Sequence, residues 1–133
     1  MIKVFLGGTC NGSKWRDKII PILKENKIDF FNPVVENWTP ECQIEEYRQK
    51  DICDIHLYNI SKEMNGVFSI AEAVDSSHLN DTWCFFQVDP IGFTDHQLKS
   101  LYDVGVLIQR NGGSAYIGNT FDRFIKDILD YIK

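Results

Sequence analysis

Short apolar runs of strand length recur along this chain, separated each time by stretches too long for a hairpin turn and patterned like helices. The runs read Ile2 to Leu6, Ile28 to Phe31, Asp54 to Ile60, Trp83 to Val88 and Val104 to Ile108. Trp83-Cys84-Phe85-Phe86-Gln87-Val88 is almost continuously apolar, as a strand covered on both faces of a parallel sheet should be. Between the runs, Ile19, Ile22 and Leu23 after Trp15 follow helical spacing, with Ser13 as cap and Pro21 as a kink. Thr39-Pro40 starts a charged, largely solvated helix over 41–52. Further helices are expected over 69–79 and over Asp95 to Tyr102, and Phe121, Ile125, Leu129 and Ile132 mark one face of a last one. Strands alternating with helices predict a doubly wound α/β domain with a mainly parallel five-stranded sheet, order 2-1-3-4-5. At 133 residues and 44% apolar content the chain has room for one such domain, 1–133, and not for two.

In such sheets ligands bind beyond the carboxyl ends of the strands where the winding reverses, here between the first and third strands. Loops 7–13, 32–39 and 61–69 should line that crevice. The first of them, Gly7-Gly8-Thr9-Cys10-Asn11-Gly12-Ser13, lets backbone amides approach a ligand near a helix amino end, yet fits no nucleotide fingerprint. Glycines that permit a tight turn explain it equally well.

Composition narrows the partners. A net charge of −5 without a basic stripe argues against polymeric nucleic acid. No apolar stretch reaches membrane-spanning length, so no membrane partner is expected and the expected setting is soluble and cytoplasmic. Cys10, Cys42, Cys53 and Cys84 form no C-x-x-C pair, and the three histidines no close pair, which leaves neither a metal site nor a bound cofactor implied.

The sharpest candidate is Glu72. In Ser69-Ile70-Ala71-Glu72 it completes an S-x-x-E capping box, and that alone explains it without a ligand. The other reading is chemical: an ionised carboxylate at a helix amino end, aimed into a crevice, is a nucleophile for an anomeric carbon. Asp54 opens the third strand, where a turn residue is the bland alternative; His56 carries no role.

Together, Val4-Phe5-Leu6-Gly7-Gly8, Phe31-Asn32-Pro33-Val34-Val35, Asp54-Ile55-His56-Leu57-Tyr58 and Gly66-Val67-Phe68-Ser69-Ile70-Ala71-Glu72 resemble the nucleoside 2-deoxyribosyltransferase-like proteins, a family with members in bacteria and their viruses. The likeness spans about residues 3–90. It implies a flavodoxin-like three-layer sandwich, a nucleoside or nucleotide as the small-molecule partner, and cleavage or exchange of its N-glycosidic bond. Glu72 matches the glutamate that attacks C1′, and Asp54 the aspartate that binds and protonates the base. Gly7, Gly8, Thr9, Asn32, Trp38, Gly66 and Ser69 fall where substrate contacts are expected. Family members commonly assemble, so a homo-oligomer is expected. Two departures stand out: Gly66 occupies the place of a further acid six residues before the nucleophile, and Phe5 and Leu6 stand where an aromatic hydroxyl is common. A binding protein that holds a nucleotide-derived ligand without turnover is the alternative.

Overall fold

The computed structural model describes residues 2–10 and 12–133. Met1 and Asn11, the latter part of the expected Asn11-Gly12-Ser13 turn, lie outside the described residues. Five strands, β1 (Lys3–Gly8), β2 (Asp29–Phe31), β3 (Ile55–Ile60), β4 (Trp83–Val88) and β5 (Ser114–Ile117), alternate with five helices. These are α1 (Trp15–Glu25), α2 (Pro40–Ile52), α3 (Phe68–Ser77), α4 (Asp95–Arg110) and α5 (Phe121–Ile132). All neighbouring strands pair in parallel, in the order β2-β1-β3-β4-β5.

The two-residue period of the strands sorts the apolar side chains into two cores. Val4, Leu6, Ile55, Leu57 and Phe85 face Trp15, Ile19 and Leu23 of α1 and Phe124 and Ile128 of α5. Phe5, Tyr58, Ile60, Phe86 and Val88 face Ala73 of α3 and Leu101 and Ile108 of α4. The result is a three-layer sandwich, with β3 buried along its whole length. Among the described residues no helix is long and apolar enough to cross a membrane.

Three expectations change. The run Val104 to Ile108 is no strand but the second half of α4, which extends to Arg110; β5 follows at Ser114–Ile117. Leu101, Gly105 and Ile108 are buried at helical spacing, and the bare Cα of Gly105 lets the helix lie on β5, where an added Cβ would come within 3.1 Å of Ile117 and 3.2 Å of Ala115. Second, α1 begins at Trp15 with Lys14 as its cap residue, not Ser13, and runs unbroken through Pro21. Third, the fully buried stripe of α5 is Phe124 and Ile128, with Phe121, Ile125 and Ile132 packed at its margins. Thr39 and Pro40 do start α2, though the Thr39 hydroxyl makes no capping bond.

Candidate active site

Helix α3 starts earlier than the S-x-x-E pattern suggests. Val67 is its cap residue and makes no side-chain capping bond, so Ser69 is already inside the first turn and Glu72 stands in the second. The capping box does not form there; the one that does form joins Thr94 and Gln97 at α4. Glu72 is thereby released from local duty, and its Oε2 forms an ion pair with Lys50 Nζ from the last turn of α2. The two side chains are only 13% and 16% exposed, so little solvent screens the pair.

The Lys50 ammonium also lies over three rings, Phe5, Tyr47 and Phe68, at 5.7, 5.2 and 5.7 Å from their centroids. The pair and the rings of Tyr47 and Phe68 line a groove of about 630 Å³ between α2 and α3, with Asp51, Asp75 and Ser76 in its walls. One turn before Lys50 on α2 stands Glu46, whose carboxyl is pushed up, first by burial and then by the charge of Glu72. The groove wall thus carries the Glu72–Lys50 ion pair, and one turn away on α2 stands a carboxyl pushed toward its protonated form.

A buried relay fixes the two helices relative to each other. His56 Nε2 meets the Lys50 carbonyl at 2.9 Å, and only an N–H can bond there. With burial holding this imidazole at about 4, the ring is neutral and Nδ1 accepts from Ser76 Oγ at 2.8 Å. Ser76 Oγ in turn accepts from the Tyr58 hydroxyl at 2.7 Å. The Lys50 carbonyl is one of the last four of α2, which have no partner within the helix. His56 thus satisfies a helix end while anchoring Lys50 to α3.

Asp54 is not brought to Glu72. It precedes β3 at the amino edge of the sheet, where its Oδ2 accepts the Lys3 amide at 3.0 Å and its own amide bonds the Lys3 carbonyl at 2.9 Å. Those bonds set the register of β1 against β3. Gly7 and Gly8 belong to β1 itself: a Cβ on Gly7 would lie 2.4 Å from the Tyr58 ring, and one on Gly8 2.3 Å from the Asn59 carbonyl oxygen. Thr9 is a latch, donating its amide to Asn59 and accepting the Ser61 amide on Oγ1, while its carbonyl accepts from the buried Arg16 guanidinium at 2.7 Å. Asn32 Oδ1 accepts the Val34 amide in a turn. Trp38 is 59% exposed, and Gly66 is exposed with open space around it. Of the residues singled out in the sequence, Glu72 alone lines the groove; Ser69 lies half-buried three residues before it.

Sequence reasoning missed Glu46, Tyr47, Lys50 and Phe68. The spacing of Glu46 and Lys50, one helical turn apart on a helix almost devoid of an apolar stripe, was the available signal. The cysteines are free, and burial pushes Cys53 up to about 11 and Cys84 up to about 12, which leaves both as protonated core thiols.

A parallel doubly wound sandwich carrying a lysine-held carboxylate and a second carboxyl beside its central strands has the form of a small-molecule site grafted on a common α/β scaffold. The chain belongs to the family described as nucleoside 2-deoxyribosyltransferase like, whose model matches residues 1–80. That match runs from β1 through the whole of α3 and so takes in both helices of the groove. No curated protein and no solved structure matches the chain.

Proposed function

We propose that this protein cleaves or exchanges the N-glycosidic bond of a nucleoside or nucleotide in the groove between α2 and α3. The observation that carries the reading is the Glu72 carboxylate, held by Lys50, whose charge helps to push the Glu46 carboxyl up. Lys50 engages Oε2, which leaves Oε1 as the attacking atom. Oε1 bonds to C1′ as the bond from C1′ to the base nitrogen breaks, and its electron pair leaves with the base. Glu46 delivers the proton that neutralises the departing base, the part that resemblance gave to Asp54. A sugar ester on Glu72 results. Water or a second base then attacks C1′; the ester bond breaks, the carboxylate returns to Lys50, and Glu46 takes the proton lost by the nucleophile. The exposed rings of Phe68 and Tyr47 offer faces for a base.

Support comes from family membership together with this arrangement of charges. Assembly into a homo-oligomer is part of the proposal, since Ile44 on α2 and Val67 and Phe68 at the start of α3 are 67%, 72% and 59% exposed. Light scattering after gel filtration tests it; a monomeric mass at micromolar concentration would remove it.

The test of chemistry is Glu72→Gln. Glutamine keeps the size and a hydrogen bond to Lys50 but is no nucleophile. Expected are loss of base release across a panel of nucleosides and nucleotides, an unchanged melting temperature within a few degrees, and in the parent a sugar adduct on Glu72 detectable by mass. Base release by the variant at the parental rate would sink the assignment. A specific observation favours a second reading, binding without turnover: Lys50 already occupies Glu72, and Gly66 brings no acid to the loop. Under that reading the parent releases no base, and a nucleotide raises its melting temperature.

A further inference from the structure

A second cavity lies on the other side of the sheet. It measures about 570 Å³, opens at the carboxyl ends of β3, β4 and β5 where α1 and α5 begin, and shares no wall residue with the groove of Glu72. Asn59 and Gln87, opposite each other in β3 and β4, stand in its walls, each 2% exposed. Asn59 Nδ2 donates to Gln87 Oε1, but Asn59 Oδ1 has no partner among the described residues. Trp15, 4% exposed, lines the same cavity, and its Nε1 likewise has none. Buried polar atoms are rarely left so, because each has given up water for nothing. Here one is an acceptor wanting a donor and the other a donor wanting an acceptor, on two residues that line one cavity.

Charge orders the rest of the walls. From the start of α1 come its cap residue Lys14 and, one turn on, Lys18, both exposed, with Lys18 Nζ lying 5.4 Å from the centroid of the Phe121 ring on α5. Among the described residues neither α1 nor α5 has a side-chain capping bond, which leaves first-turn amides of two helices at this cavity without one. On the side of β3 and β4 stand Glu63 and Asp89, which accept from Ser61 Oγ at 2.5 Å and the Ile91 amide at 3.1 Å. One edge thus suits an anion with several acceptor oxygens, the other suits hydroxyl or N–H donors. A lone inorganic anion would leave most of this volume empty.

We propose that this cavity binds a small phosphate ester of a hydroxylated compound, with the phosphate against Lys14, Lys18, Trp15 Nε1 and the two helix ends, and a donor on the ligand satisfying Asn59 Oδ1. A sugar phosphate and a nucleoside monophosphate share that chemistry. The site is independent of the chemistry at Glu72. Gln87, Asp89 and the start of α5 also lie beyond residue 80, outside the stretch matched by the family.

The reporter is the indole N–H resonance of Trp15 in ¹⁵N-labelled protein, titrated separately with ribose 5-phosphate, a nucleoside 5′-monophosphate and inorganic phosphate. At least one ester should move it saturably while the Trp38 resonance stays still, and inorganic phosphate should bind at least about tenfold more weakly. Which ester binds identifies the source. Lys14→Ala with Lys18→Ala, exposed changes that leave the core intact, should weaken the ester about tenfold or more, and Glu72→Gln should leave it unchanged. The proposal is overturned if neither ester moves the resonance, if the double variant or inorganic phosphate binds as tightly as the parent with its ester, or if Glu72→Gln abolishes the shift.

Discussion

At Glu46, burial and the charge of Glu72 act in the same direction, against ionisation, whereas Glu72 has an ammonium within contact. A carboxyl pushed up toward its protonated form, near one held in an ion pair, can serve as acid to the other's nucleophile. Because the Glu46 proton is held to higher pH than an ordinary glutamate would hold it, its loss should set the alkaline limb of kcat/KM. Glu46→Gln should erase that limb and lower base release by about 10²–10⁴-fold at neutral pH, with a melting temperature close to the parent's. An alkaline limb that survives the substitution would assign the acid elsewhere. At this scale the sequence was half legible. Glu72 is visible because it falls in a run of residues with a recognisable order. Glu46 and Lys50 are not, because on a helix with Ile44, Tyr47 and Ile52 facing outward they resemble any solvated pair, and only the ion pair from Lys50 to α3 sets them apart.

Between β1 and β3 the chain passes so closely that side chains are excluded by geometry. Gly8 has φ +98, and a Cβ there would meet the backbone of Asn59 at 2.3 Å, an atom fixed by the sheet. Gly8→Ala should therefore cost roughly 2–4 kcal/mol in urea unfolding. Gly66→Ala is the control: with no neighbour within 4 Å, and no positive φ, it should change stability by no more than about 1 kcal/mol, and toward greater stability. Equal effects at the two positions would overturn the packing account of Gly8. The elements themselves were largely readable, because alternation of short apolar runs with amphipathic stretches leaves few topologies open. The failure at Val104 to Ile108 has a physical cause. Its β-branched residues imitate a strand, while the burial of Leu101, Gly105 and Ile108, a property of the packed helix, decides for α4. The true β5 is four half-buried residues, too short to carry a period of its own.

Across the whole molecule, α2 is the layer with the least apolar attachment: Gln49 is its one buried residue, and Ile44, Tyr47 and Ile52 are exposed. Polar ties take over that work. Lys50 is held through its carbonyl by His56 of β3 and through its ammonium by Glu72 of α3. His56 makes this attachment sensitive to acid. In the folded chain burial holds it at about 4, against an ordinary value of 6.5 when unfolded. Between those values the unfolded chain binds a proton that the folded chain refuses, so stability rises with pH. The contribution is complete above about 6.5, declines as pH falls, and is gone near 4; for this fully buried ring the difference amounts to about 3 kcal/mol. Other carboxyls titrate in the same window, so the quantity to measure is the difference between parent and His56→Gln, which keeps a donor and an acceptor but takes up no proton there. Parent stability should fall toward the variant's between pH 6.5 and 4, with amide exchange in α2 accelerating before that in β3 and β4. Parallel stability curves, or exchange that quickens everywhere at once, would show that α2 is held to the sheet by something other than the His56 relay.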